Sequence, residues 1–334
     1  MAFWIGYSLC LALLGVGVTG AVLRWLRHRA ILDAPNDRSN HDIPTPRGGG
    51  LAVCITIAIG WILLALIQPG GIAGLHPAVI AAAGALALLS WIDDLKTLGA
   101  AVRFPAHLIA CAVGVWALSG QGPIFQGLLP AWLDAVTAVL LWTGFLNFYN
   151  FMDGIDGITG VETLGIGLGL AVLAVLLPGS GLPVTAPLTL AAAALGFLVW
   201  NWPPAKLFLG DVGSVPLGYC LGWFLLLLAA EGYWAPALIL PAYYLADAGL
   251  TLLRRAARLE KVWQAHREHF YQKAVADRMA GGADRTRAHR HVSAAIFCTN
   301  AGLIALAVLS LTQTWVALGG ATVLVGGLLW WMRR

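Results

Sequence analysis

The sequence predicts an all-α, polytopic integral membrane protein of about eleven transmembrane helices, and three observations lead there. Hydrophobic residues make up 59% of the 334 and charged residues only 11%, with a mean hydropathy of +0.80; soluble domains carry about 25% charged residues. The apolar residues fall into runs close to the length that crosses a bilayer, about 17–25 residues. Lys and Arg sit only between alternate runs.

The first run, 3–23, is followed rather than preceded by Arg24, Arg27 and Arg29, the pattern of an uncleaved start helix and not of a signal peptide. The second, 49–67, opens on three glycines. The third and fourth, 77–92 and 104–119, are short and rich in alanine. The fifth, 132–149, ends in NFYN, and the sixth, 158–177, leaves the turn DGIDG. The seventh and eighth, 184–202 and 214–230, flank FLGDVGS. The ninth, 234–253, ends in DAGLTLLRR, and the tenth and eleventh are 294–311 and 314–332.

Positive charge orients this chain. Arg24, Arg27, Arg29, Arg38 and Arg47 follow the first run, Lys96 and Arg103 the third, Lys206 the seventh, ten residues from Arg254 to Arg290 the ninth, and Arg333 and Arg334 the last; together these are all 20 Lys and Arg. The expected topology has a periplasmic N-terminus and a cytoplasmic C-terminus. The chain is expected to be a single integral membrane domain, 1–334, whose one sizeable soluble piece is the basic loop 254–293. The formal charge of +4 reflects this topology and attraction to anionic lipid, not nucleic-acid binding. The five cysteines all lie within apolar runs without metal-type spacing and read as reduced packing residues.

Of the 16 acidic residues, only Asp134 and Glu231 belong to the outer face. The inner loops hold four polar clusters. In residues 33–53, Pro44 and Pro46 force an extended lead-in to Arg47 and Gly48–Gly50, whose backbone N–H groups at a helix start suit an anion; a linker with a positive-inside arginine is the plainer alternative. In WIDDLKTL, Asp93 and Asp94 leave the third run side by side, where a cation or donors must offset their repulsion, unless they form a solvated helix end. In NFYNFMDGIDGI, Asn147 and Asn150 share a helix face and Asp153-Gly and Asp156-Gly make a tight turn; a capped turn alone needs one Asp. In FLGDVGSVPLGY, Asp211 precedes the eighth run with Ser214 as a candidate N-cap, or serves only the helix dipole.

HREHFYQKA adds His266, Arg267 and His269. Zinc would need further ligands, so a phosphate donor patch is the better reading. His28, His76 and His107 read as structural, and His289 and His291 have no assigned chemistry. Asp247 lies within the ninth run, where an ionisable side chain faces a cavity or a partner; Arg254, seven residues on, competes as that partner. Carboxylates and amides without soft ligands suit Mg²⁺ or Mn²⁺, with Asp211 plus one of Asp93, Asp94, Asp153 or Asp156 satisfying the ion. An ion-coupled secondary transporter is the rival class, but it would place ionisable residues at midplane in repeated halves.

PTPRGGG, the DD of WIDDLKTL, NFYNFMDGIDGITG, FLGDVGS and DAGLTLLRR, in that order, resemble the polyprenyl-phosphate N-acetylhexosamine-1-phosphate transferases, glycosyltransferase family 4, over nearly the whole chain. HREHFYQ departs from the His-x-His-His run of many members and is similar to the O-antigen-initiating branch. The resemblance implies transfer of a sugar 1-phosphate from UDP-N-acetylhexosamine to undecaprenyl phosphate at the bacterial inner membrane, with the active site on the cytoplasmic face and UMP released. It implies Mg²⁺, or Mn²⁺, held by Asp211 with Asp153, and catalytic roles for Asp93 (a candidate general base), Asp94, Asp156 and Asp211. Substrate would be bound by Arg47, Asn147, Asn150, Asp153, His266, Arg267 and His269. The partners expected are those two substrates, membrane lipid and a second copy of the chain.

Overall fold

The computed structural model describes residues 2–33, 44–67, 75–261 and 266–334. Arg38 with the rest of 34–43, residues 68–74, and residues 262–265 lie outside the described residues. The described residues comprise thirteen helices and one two-residue strand pair: α1 (Ala2–His28), β1 (Leu32–Asp33), β2 (Thr45–Pro46), α2 (Gly50–Ile67), α3 (Pro77–Lys96), α4 (Ala100–Ala117), α5 (Ala131–Phe151), α6 (Ile158–Leu176), α7 (Thr185–Asn201), α8 (Asp211–Ala230), α9 (Trp234–Ile239), α10 (Ala242–Ala257), α11 (Phe270–Ala280), α12 (Arg285–Leu309) and α13 (Thr314–Trp331).

Nine of these, α1–α6, α8, α12 and α13, are long and apolar enough to cross a membrane. The expected seventh run forms the shorter apolar helix α7. The expected ninth is not one helix. It breaks into α9 and α10 around Leu240 and Pro241, because proline has no N–H to give the preceding turn. The segment 254–293 is likewise more than a loop, since it carries the end of α10, all of α11 and the first turns of α12.

The core forms around α8. A helix apolar on every side belongs in the interior, and every α8 residue except Asp211 and Leu226 is buried. Small residues set its distances to its neighbours, as in membrane bundles. Gly213 lies against Gly50 of α2 backbone to backbone, Gly218 faces Tyr149 of α5, and Gly222 faces Trp142 of α5. Trp142 also stacks on Tyr219 at 4.6 Å and donates its indole N–H to the Tyr219 carbonyl at 3.2 Å. Helices α3 and α5 pack on α8, while α6, α7, α1 and α12 extend the bundle. All five cysteines are unpaired.

Candidate active site

The Pro44–Gly50 stretch is strapped onto the loop that precedes α8. β2 pairs antiparallel with β1, and Arg47 bridges to Phe208. The N–H groups of Gly48 and Gly49 donate to the Phe208 carbonyl at 3.2 and 2.8 Å, and that of Gly50 to the Leu209 carbonyl at 2.7 Å. The three glycine amides are therefore consumed by carbonyls and do not form the open anion cradle expected from sequence. Close packing explains the glycines instead: Gly48 has φ +110°, and a side chain at Gly49 would meet Phe197 and Leu207. What the strap delivers is Arg47.

Arg47 Nη2 lies 2.8 Å from Asp94 Oδ1 and 3.0 Å from Asp211 Oδ1. On the other side, Arg103 Nη1 lies 2.9 Å from Asp93 Oδ2 and 3.3 Å from Asp211 Oδ2. Asn150 Nδ2 donates to Asp211 Oδ2 at 3.4 Å, and its Oδ1 accepts from the Ser214 hydroxyl at 2.7 Å. The end of α3, the first turns of α4 and α8, the end of α5 and the Arg47 strap thus meet at one point. Asp211 is the most open of the three carboxylates, 15% exposed against 6% for Asp93 and 2% for Asp94.

Asp94 has a second task. Its Oδ1 and Oδ2 accept the backbone N–H groups of Asp211 and Val212, at 3.1 and 3.0 Å. These are first-turn amides of α8 with no partner in their own helix. Asp94 caps α8 from another helix, so Ser214, the cap expected from sequence, is released to orient Asn150. Gly210, at φ +76°, is the residue that lets the chain turn there, and a side chain on it would collide with Asp94. Asp93 is just as engaged: Oδ1 accepts from the Leu98 N–H and Oδ2 faces Arg103. With both oxygens occupied it is poorly arranged to act as a base.

The NFYNFMDGIDGI turn divides its polar residues. Asn147 does not join Asn150. Its Nδ2 donates to the Thr143 carbonyl at 2.7 Å and its Oδ1 faces His107 Nδ1 of α4 at 3.3 Å. Three residues advance a helix by about 300° at 3.6 per turn, enough for one Asn to face α4 and the other α8. Asp153 is half-buried, and loss of water pushes its carboxyl up to about 7; the Asp211 and Asp94 carboxylates act in the same sense, and the Thr159 hydroxyl and Arg47 oppose it. Asp156 turns away, accepting from the Ala205 N–H at 3.0 Å with His289 Nδ1 3.3 Å from Oδ1, while its own carbonyl accepts from Ser293. Burial raises its carboxyl, but His289, the Ala205 amide and Arg285 outweigh burial and hold it below the usual range. It ties the turn to α12.

The HREHFYQ residues reach the site through Tyr271. The Tyr271 hydroxyl donates to the Phe151 carbonyl at 3.2 Å and fills the space beside Gly154. The His269 ring stacks on Tyr271 at 5.7 Å and lies 4.8 Å from the His266 ring. His266 Nδ1 accepts from the Glu268 N–H, leaving Nε2 to carry the hydrogen. Burial, with His269 and Arg255 nearby, holds the His266 ring down at about 4, so it is a neutral donor. Arg267 is exposed between the two histidines.

Arg103 is the residue that sequence reasoning missed; it was legible only as one more inward-side positive charge. Among the described residues no group of three or more His, Cys, Asp or Glu could hold a metal unaided, yet Mg²⁺ takes as few as one or two protein carboxylates. The donor set fits such an ion: it is all oxygen, and three carboxylates against two guanidiniums leave negative charge over.

Residues 76–229 match the sequence profile of Glycosyl transferase family 4. The Arg47 strap, Asp247 and the HREHFYQ segment lie outside that match. The chain is 33% identical to the decaprenyl-phosphate N-acetylglucosaminephosphotransferase of Mycolicibacterium smegmatis, over 62% of this chain and 58% of that protein. It is 28% identical to a protein of Bacillus subtilis named "Probable undecaprenyl-phosphate N-acetylglucosaminyl 1-phosphate transferase", over 73% of this chain and 70% of the relative. A phospho-N-acetylmuramoyl-pentapeptide-transferase of Moorella thermoacetica is 31% identical over 56% and 62%. The chain therefore spans less than two thirds of the mycobacterial relative's length.

Proposed function

We propose that the chain, whose residues 76–229 match the glycosyl transferase family 4 profile, moves an N-acetylhexosamine 1-phosphate from a UDP-sugar to undecaprenyl phosphate, releasing UMP. One observation carries the reading: Arg47, Asp93, Asp94, Arg103, Asn150 and Asp211, far apart in sequence, form one ion-paired cluster where the ends of several helices meet. Phosphoryl transfer asks a protein mainly for positioning and charge neutralisation, and these residues supply both. The lipid phosphate oxygen forms the new bond to the sugar-bearing phosphorus while the bond to UMP breaks. A phosphate monoester, with a second pKa near ~6, is already largely dianionic at neutral pH and needs little help from a base.

Arg47 and Arg103 are the groups suited to pyrophosphate oxygens, since guanidinium matches phosphate geometry. Asp93 and Asp94 aim those arginines and fix the start of α8. Mg²⁺, with Mn²⁺ as a substitute, would be held by Asp211 with Asp153 and would neutralise charge on the pyrophosphate. Asn150, oriented by Ser214, steadies Asp211. His266, Arg267 and His269 take the phosphate of the donor. Asn147 and Asp156 support this arrangement through α4 and α12 without facing the reaction.

An apolar cavity of about 730 Å³ suits an isoprenoid chain. It runs along α5 from Ile124 and Gln126 at one end to Phe148 and Leu245 at the other, so its inner end lies two residues from Asn150. N-acetylglucosamine is the first sugar to test, from the names of the relatives, and HREHFYQ supports a role in starting O-antigen rather than peptidoglycan. Positive charge supports a periplasmic N-terminus and a cytoplasmic site in the bacterial inner membrane. Glu162, a fully buried acid of α6, accepts from Asn300 Nδ2 at 2.9 Å, which gives a transporter reading no support.

The test is incubation of membranes with labelled UDP-N-acetylglucosamine, undecaprenyl phosphate and Mg²⁺. The expected result is an organic-soluble labelled lipid and UMP, lost in Asp211→Asn at unchanged protein level. Free sugar phosphate would mean hydrolysis; no product from any of a panel of UDP-sugars would overturn the reading.

A further inference from the structure

Asp247 of α10 is a fully enclosed carboxylate outside the cluster, with no surface exposed. Five donors face it. Oδ1 accepts from the Phe270 N–H at 3.0 Å, with His269 Nδ1 at 3.2 Å and the Thr251 hydroxyl at 3.5 Å. Oδ2 accepts from the Tyr271 N–H at 3.1 Å and the Tyr243 hydroxyl at 3.3 Å. Arg254, the competing partner in sequence, is not among them; its guanidinium lies over the Phe270 ring at 4.8 Å.

A buried carboxylate is tolerated where donors surround it, and these donors are not randomly chosen. Two are the first backbone amides of α11, which have no partner within their helix. A third is the ring of His269, the residue that precedes α11 and whose own N–H is bonded to Gln272 Oε1. A carboxylate only accepts, so His269 Nδ1 carries the hydrogen and Nε2 keeps the lone pair. The same carboxylate grips the amide of Tyr271, whose ring underlies His269 and whose hydroxyl closes on the end of α5 and Gly154.

We propose that Asp247 is a positioning residue: it fixes His269 as the Nδ1–H tautomer and pins the start of α11 to the Asp153 turn, holding the His269 ring between His266 and Tyr271. The tautomer and the pinning stand on the geometry alone; the effect on turnover rests on the transferase reading. A cap with no further role is the competing account. It predicts that losing Asp247 weakens α11 regardless of what occupies position 269.

Two measurements on the full-length protein in nanodiscs decide between them. In ¹⁵N-histidine-labelled protein, with His269→Gln assigning the ring signals, wild-type His269 should show a protonated Nδ1. In Asp247→Asn, whose amide can donate to Nδ1, the hydrogen should move to Nε2. A wild-type ring protonated only at Nε2 overturns the proposal, whether or not any variant is active. In the transfer assay, Asp247→Asn should lower kcat by about 10- to 100-fold, the usual effect of removing a partner that orients a functional histidine, with KM for the UDP-sugar little changed. In a His269→Gln background the same substitution should change kcat by less than about threefold, because residues acting through one another are not additive. Equal losses in both backgrounds would leave capping as the whole role. Wild-type protein that forms no lipid-linked sugar would sink the transferase reading, while the tautomer measurement would still judge Asp247.

Discussion

Replacing Gly50 with alanine adds a single methyl group, and the structure fixes where it must go. The new Cβ would lie 2.8 Å from the Val212 carbonyl carbon and nearer still to the Gly213 backbone, whereas ordinary contact begins at 3.4 Å. These are main-chain atoms of α8 that no rotamer change can move aside. The helices must separate by at least about 0.6 Å, and more to clear Gly213. Overpacking of this kind destabilises by about 1–3 kcal/mol. The displaced backbone is also the first turn of the helix that begins with Asp211. A misplacement approaching 1 Å near reacting groups costs about 100-fold in rate, so turnover should fall further than stability. The matched control is Gly84→Ala in α3, where nothing lies within 4 Å; alanine there should be neutral or stabilise the helix by about 0.5–1 kcal/mol. Thermal midpoint in detergent and initial rate of lipid-product formation, measured for both variants, check this. If Gly50→Ala keeps wild-type midpoint and rate, the backbone contact between α2 and α8 does not exist as described.

Arg103→Met should leave Asp93 and Asp211 without their shared counter-charge and reduce product formation by at least about tenfold, with Arg103→Lys recovering only part because a point charge cannot serve two carboxylates as a planar guanidinium does; initial rates decide. Asp94→Ala removes the acceptor of two α8 amides, each costing about 1–3 kcal/mol when left unpaired, so its thermal midpoint should drop more than that of Asp211→Asn. Asp156 is held below its ordinary range, so the stability it contributes is present above its unfolded pKa of about 3.9 and is lost as pH falls through the folded value. The gap in thermal midpoint between wild type and Asp156→Asn should be constant above about pH 5 and shrink below about pH 4; a gap that widens on acidification refutes the sign. His266, held at about 4, stays neutral through the neutral range, so His266→Gln should leave the shape of the pH–rate curve between about 5 and 8 unchanged.

The helices were legible because long apolar runs have few alternatives, and Arg47, Asp93, Asp94, Asn150 and Asp211 were legible because polar residues stand out at the ends of such runs. What each does was not legible, since partners are set by packing between segments and not by local period. Nothing in PTPRGGG says that its glycine amides are taken up by Phe208 and Leu209. Nothing in WIDDLKTL says that Asp94 caps a helix that begins more than a hundred residues later. Asn147 and Asn150 share a face in a helical projection, yet α4 claims one and α8 the other. Arg103 looked like topology alone. Two signals were available. Pro241 marks the break between α9 and α10, and Gln272, three residues after His269, is the reciprocal half of a helix-start pattern.

At rest, the Arg47 and Arg103 guanidiniums occupy the oxygens of Asp94, Asp93 and Asp211. An anion that drew the arginines outward would strip Asp211 of its counterions, and a cation that settled on Asp211 would release each arginine from one of its two carboxylates. Loading by the two kinds of visitor would thereby be reciprocal, each favouring the other. The basin resists half-filling, and a lone charge of either sign meets an electrostatic latch.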